Sequence, residues 1–126
     1  MQKEELTRQI IGCAYQVYNK LGFGFLESVY QKALLIELES NKLKAEPEKP
    51  LKVNYNGQVV GDFYADIFVE NEIIVELKSV ENLSKAHEVQ LVNYLNGLQN
   101  EIGLLINFGP TGVEAKRKYR NPAKQD

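Results

Sequence analysis

Asp66, Glu76 and Lys78 are the residues of this chain whose types and spacing could do chemistry together. Two apolar runs carry them, FYADIFV (63–69) and IIVELKSV (73–80), separated by Glu70-Asn71-Glu72. The odd positions of the first run are Phe63, Ala65, Ile67 and Val69, and those of the second are Ile73, Val75 and Leu77. Side chains alternate faces along a strand. If odd meets odd, a three-residue connection pairs Val69 with Ile73, which sets Asp66 opposite Glu76. Lys78 then follows on the same face. Directly opposed residues have Cβ atoms about 5 Å apart, and like charges there repel. A cation between them, a proton on one of them, or intervening water would relieve the conflict. Two carboxylates, a strand carbonyl and room for water are what a hard divalent cation such as Mg²⁺ uses. A solvated strand face with an incidental Glu-Lys pair is the plainer alternative.

Other chemistries are excluded by what the chain lacks. Cys13 is its one cysteine and His87 its one histidine, so no disulfide, thiolate cage or two-histidine zinc site can form within it. A lone cysteine favours a reducing compartment. A Ser-His-Asp arrangement would have to use His87, and no GxSxG elbow is present. Net charge is -2, so a polyanion must be held by a local patch or through bound cations. The dense basic run is Lys116, Arg117, Lys118 and Arg120. Such a run is either a solvated surface or the place where phosphates would be contacted, with salt-sensitive affinity.

These residues need elements to hold them. A chain of 126 residues has the size of one domain, expected to span 1–126, with a basic tail from about 113. Residues 3–21 carry Leu6, Ile10, Cys13, Ala14, Val17 and Leu21 at helical spacing, and Gly22 is placed to end the helix. A second helix is expected over 26–43, with Leu26, Val29, Ala33, Ile36 and Leu38 inward. The prolines of AEPEKP (45–50) should end the helical half. From residue 51 the period becomes two: LKVNY, an Asn56-Gly57 primed turn, and QVVGDFYADIFV. Ser84 can cap a third helix, KAHEVQLVNYLNGL, packing through Ala86, Val89, Val92 and Leu95. IGLLINF (102–108) reads as a buried strand, and the tail after Pro110 as an edge strand. The order is two helices, three strands, a helix and one or two strands, in an α/β (α+β) domain. The polar N-terminus and the lack of an apolar run of about 20 residues favour a cytoplasmic protein without a membrane partner.

Asp66 followed by Glu76-Leu77-Lys78 resembles the D-(x)n-E-x-K signature of the PD-(D/E)XK nuclease superfamily. Gly24-Phe25-Leu26-Glu27-Ser28-Val29-Tyr30 resembles the motif of the GxxExxY proteins, a bacterial and archaeal branch of it. Gln90 to Tyr94 resembles the Q-x-x-x-Y motif of exonuclease-like members. Three motifs in order make the resemblance specific, and it covers about residues 10–120. Ala65 stands where the superfamily name has proline, a position that makes no metal contact. The resemblance implies a restriction-endonuclease-like core, a central mixed sheet flanked by helices (αα-βββ-α-β). It implies a Mg²⁺- or Mn²⁺-dependent nuclease acting on DNA or RNA. Asp66, Glu76 and the Leu77 carbonyl would hold the metal, with Glu27 as an added ligand or acting through water. Lys78 would serve the attacking water, and Gln90 and Tyr94 would position Lys78, the metal shell or the substrate. A homodimer suits a symmetric duplex substrate. A nucleic-acid- or protein-binding module that keeps the fold and turns nothing over is the rival reading.

Each supporting residue also has a structural alternative. Glu27 sits in a first helical turn, where the helix dipole favours a carboxylate. Tyr30 could touch substrate or simply pack with its hydroxyl satisfied. Gln90 and Tyr94 share a helix face and could equally be core-edge residues. His87 reads as a residue of a helix N-terminus.

Overall fold

The computed structural model describes residues 1–98 and 102–120. Helix α1 spans Lys3–Leu21 and buries Leu6, Ile10, Cys13, Ala14 and Val17, the stripe its spacing predicts. It stops where Gly22 takes φ 68° and donates its N–H to the Tyr18 carbonyl. Helix α2, Glu27–Ser40, buries Leu38 as expected, but with Tyr30 and Leu34 in place of the other residues of the expected set. Leu26 precedes the helix and Ile36 faces outward, both largely exposed. The stripe 30/34/38, spaced by four, wins because it includes the bulky Tyr30, which fills the core.

The proline-rich segment is also not the break expected of it. The chain turns earlier, with Lys42 at φ 61°, and residues 45–50 already belong to strand β1, Ala45–Tyr55. Pro47 and Pro50 are tolerated because β1 is the sheet edge, where unpaired N–H groups are not needed. Asn56 (φ 51°) and Gly57 (φ 78°) form the primed turn into β2, Gln58–Val69. Glu70 and Asn71 both take positive φ, and Glu72 donates its N–H to the Val69 carbonyl. Val69 then pairs with Ile73 at the start of β3, Ile73–Lys78, in the expected register.

Helix α3, Lys85–Leu98, carries the chain across so that β4, Ile102–Phe108, lies parallel to β3. Ser84 caps it: its Oγ accepts the His87 N–H, and His87 Nδ1 accepts the Ser84 N–H. Leu91, Leu95 and Asn96 are its buried residues, while Ala86 and Val89 are exposed. Strand β5, Val113–Tyr119, closes the other edge antiparallel to β4. The sheet order is β1-β2-β3-β4-β5. One apolar cluster joins α1 and α2 to Ile67, Val69, Ile73, Val75, Leu77 and the even residues of β4. A second joins α3 to Ala65, Ile74 and Leu105, with Phe63 at its margin. The odd residues of β2 therefore do not share a face. The switch falls between Ala65 and Ile67, opposite Glu48, which sits at φ 49° between the pairs Pro47–Ile67 and Lys49–Ala65.

Candidate active site

The β2–β3 ladder runs Val69–Ile73, Phe68–Ile74 and Ile67–Val75, and the next position in that register is Asp66 with Glu76. Here a side chain replaces the backbone pairing. The Leu77 N–H donates to Asp66 Oδ2 at 2.7 Å, and Gln31 Nε2 of α2 donates to the Asp66 carbonyl at 2.8 Å. Asp66 is thus gripped by β3 and α2 together. Burial pushes the Asp66 carboxyl above its usual range; the Leu77 N–H opposes that, and Glu27 and Glu48 add to it. Glu76 is affected more: burial first, then the Asp66 charge, raise it to about 8. Its Oε1 is buried with no hydrogen-bond partner. Lys78 ends β3, half-buried, and its charge opposes both upward shifts.

Glu27, the first residue of α2, is exposed and acts on both carboxyls through its charge. Among the described residues no three Asp, Glu, His or Cys side chains gather as a metal-holding group. The centre is therefore the Asp66–Glu76 pair, with Glu27 at longer range. Glu48 is the acidic residue that sequence reasoning missed. Its place in a proline-flanked stretch gives no signal, and only strand pairing brings its charge to bear on Asp66.

The helix motif is internally bonded. Gln90 Nε2 donates to the Tyr94 hydroxyl at 2.9 Å, and the Tyr94 ring stacks on Phe63 with centroids 3.6 Å apart. That stack docks α3 on the stretch of β2 leading into Asp66. Tyr30 requires a correction, because a fully buried ring cannot contact substrate. Its hydroxyl donates to the Gly22 carbonyl and accepts the Phe25 N–H, and its ring stacks on Phe108 at 4.3 Å. It shapes the loop that leads to Glu27.

The basic run is divided by the pleat. Lys118 and Lys116 reach Glu88 of α3 at 3.0 and 3.4 Å, while Arg117 Nε donates to Thr7 Oγ1 of α1 at 2.8 Å. Arg120 follows the strand, half-buried. Alternation along an edge strand turns a contiguous basic sequence into two separate, internally partnered surfaces.

Residues 4–119 match the sequence profile of the PD-(D/E)XK nuclease superfamily. The chain belongs to that superfamily. Among solved structures it is similar to the one titled "Crystal structure of SSO0001", with 24% identity and a TM-score of 0.56. That likeness covers 74% of this chain and 49% of the other, so the chain spans about half its length. No curated protein matches. The mixed five-stranded sheet with flanking helices is accordingly a restriction-endonuclease-like α+β fold. No helix among the described residues is long and apolar enough to cross a membrane.

Superfamily nucleases use divalent metal ions, and the donor set here fits a hard one. Glu76 Oε1 lacks any partner although buried, and the charge of Asp66 adds to burial in raising the proton affinity of Glu76. A divalent cation would satisfy the first and relieve the second. Mg²⁺ needs no all-protein cage, since one or two carboxylates with water and phosphate suffice.

Proposed function

We propose that this protein is a divalent-metal-dependent nuclease of the GxxExxY branch, hydrolysing phosphodiester bonds of DNA or RNA. The observation that carries the reading is the buried, unpartnered Oε1 of Glu76 beside Asp66, with Lys78 two residues on. Asp66, Glu76 and the Leu77 carbonyl would hold Mg²⁺ or Mn²⁺, with Glu27 joining through water. When bound, the cation neutralises the scissile phosphate and makes water a stronger acid. The residues of the chain supply the rest. The Leu77 N–H fixes Asp66 Oδ2, so Oδ1 would be the oxygen that faces a ligand. Lys78 orients the attacking water and donates to the developing charge on the phosphate. Gln90 and Tyr94 keep α3 against β2 and so preserve the spacing of the pair. Lys116, Lys118 and Arg120 would meet more distant phosphates, in a cytoplasmic protein that pairs as a dimer on duplex substrate.

The test is cleavage of labelled DNA and RNA with Mg²⁺ or Mn²⁺. Asp66→Ala and Lys78→Ala are each expected to lower the rate by at least about 100-fold. Cleavage that survives both substitutions overturns the assignment. A second reading, a binding module without turnover, is favoured by the lack of a three-carboxylate group among the described residues. Metal titration separates the two. Nucleic-acid binding with no Mg²⁺-dependent stabilisation of the wild type over Glu76→Ala is the result expected of the silent module.

A further inference from the structure

We propose that Asn107 is a positioning residue for Lys78, acting through an amide clamp on the backbone of Val80. The inference rests on the reading that Lys78 serves hydrolysis. Every residue of β4 is buried, and Asn107, 1% exposed, is the one among them with a polar side chain. A buried amide costs stability unless both its ends are bonded. Here they are bonded to a single residue: Asn107 Oδ1 accepts the Val80 N–H at 2.9 Å, and Nδ2 donates to the Val80 carbonyl at 2.9 Å. This mimics a neighbouring strand.

The location gives the clamp its use. Asn107 stands in register with Lys78, the last residue of β3, where regular pairing with β4 ends. The side chain therefore holds the segment just beyond Lys78 after the backbone ladder has stopped. From the other side Ser79 Oγ donates to the Phe25 carbonyl at 3.0 Å, in the loop that leads to Glu27. A lysine ammonium rides on a flexible four-carbon stem, so its placement depends on a fixed backbone. Gly109 shows how closely the clamp is packed. A Cβ there would meet Asn107 Nδ2 at 3.2 Å and the Gly112 carbonyl at 3.3 Å, with the Val80 carbonyl at 3.7 Å. Gly109 thus leaves the room that the amide occupies.

The experiment compares the full chain with Asn107→Leu and with the milder Gly109→Ala, which carries the same readouts if the first variant does not fold. NMR order and amide exchange are measured at residues 78–80, Mn²⁺ affinity by calorimetry, and kcat and KM on a labelled DNA oligonucleotide. Order at Lys78 should fall and exchange at Val80 should rise about tenfold or more, with Mn²⁺ affinity within about twofold of wild type. The rate constant kcat should drop about 10- to 100-fold at unchanged KM. In a Lys78→Ala background the same substitution should cost less than about twofold, because the residue it acts through is gone. An equal loss in both backgrounds, or unchanged order at Lys78, overturns the proposal. If the wild type hydrolyses nothing, the nuclease reading falls by itself, and the order measurement still decides the clamp: loosening supports it and unchanged order overturns it.

Discussion

At the scale of single residues, Glu76 holds the clearest consequence of the site. Its carboxyl lies near 4.5 in an unfolded chain and about 8 in the folded one, chiefly through burial and then through Asp66. Between those values the folded protein binds more protons than the unfolded protein, so stability falls as pH rises. The metal-free protein should therefore melt at progressively lower temperature from about pH 5 to pH 8. Asp66, raised for the same leading reason, contributes with the same sign. Glu76→Gln should flatten the curve, and millimolar Mg²⁺ should raise the melting temperature most at the alkaline end. Thermal melts with chelator, across this range, check it; parallel curves for wild type and Glu76→Gln would remove the buried charge from the account.

At the scale of elements, the site depends on α3 lying close against the β1–β2 hairpin. Gly97 makes that approach, since an added Cβ would stand 2.9 Å from Val53 Cγ1. Two effects of Gly97→Ala oppose each other. Alanine gains about 1 kcal/mol of helix propensity, while overpacking a stiff branched side chain costs about 1–3 kcal/mol. The steric term should win, giving a net loss of about 1 kcal/mol in urea unfolding. Val53→Ala in the same chain should restore much of it, a non-additivity that identifies the contact. A stabilised Gly97→Ala would mean that α3 can withdraw from the hairpin. Tyr94 on Phe63 is the second anchor of the same helix, which gives the Gln90–Tyr94 motif a structural use beside any chemical one.

For the whole molecule, the balance of charge is set by fold as much as by composition. A net charge of -2 with a basic run near the C-terminus leaves that run as either a solvated surface or a phosphate contact. Folding instead places Glu88 of α3 between Lys116 and Lys118, whose bonds and charges hold its carboxyl below the usual range, Lys118 foremost. Glu88→Gln should release both ammonium groups from that carboxylate, leaving Lys116 with Glu114 at 4.0 Å. Oligonucleotide binding is then expected to tighten at low salt, with the salt slope steeper by up to about two. An unchanged slope would mean that this strand does not meet the phosphates.

The sequence by itself determined much of this. Local and periodic signals sufficed for the bounds of α1 and α3, the Asn56-Gly57 turn, the buried β4 and the Val69–Ile73 register, which brings the Asp66 charge to bear on Glu76. The three motifs also pointed to the superfamily that the profile match establishes. Tertiary structure decided what short-range patterns cannot encode. It chose Tyr30 and Leu34 to join Leu38, over Leu26 and Ile36, because a core fills by volume. It made Pro47 and Pro50 strand residues because β1 is an edge. It turned Phe63 and Ala65 away from the face of Ile67 and Val69, and brought Glu48 into the field of Asp66 through strand pairing. It also buried Glu76 Oε1 without a partner, which turns a Glu-x-Lys on a strand into a candidate metal site. Burial and partnership are properties of the packed whole, and no spacing along the chain contains them.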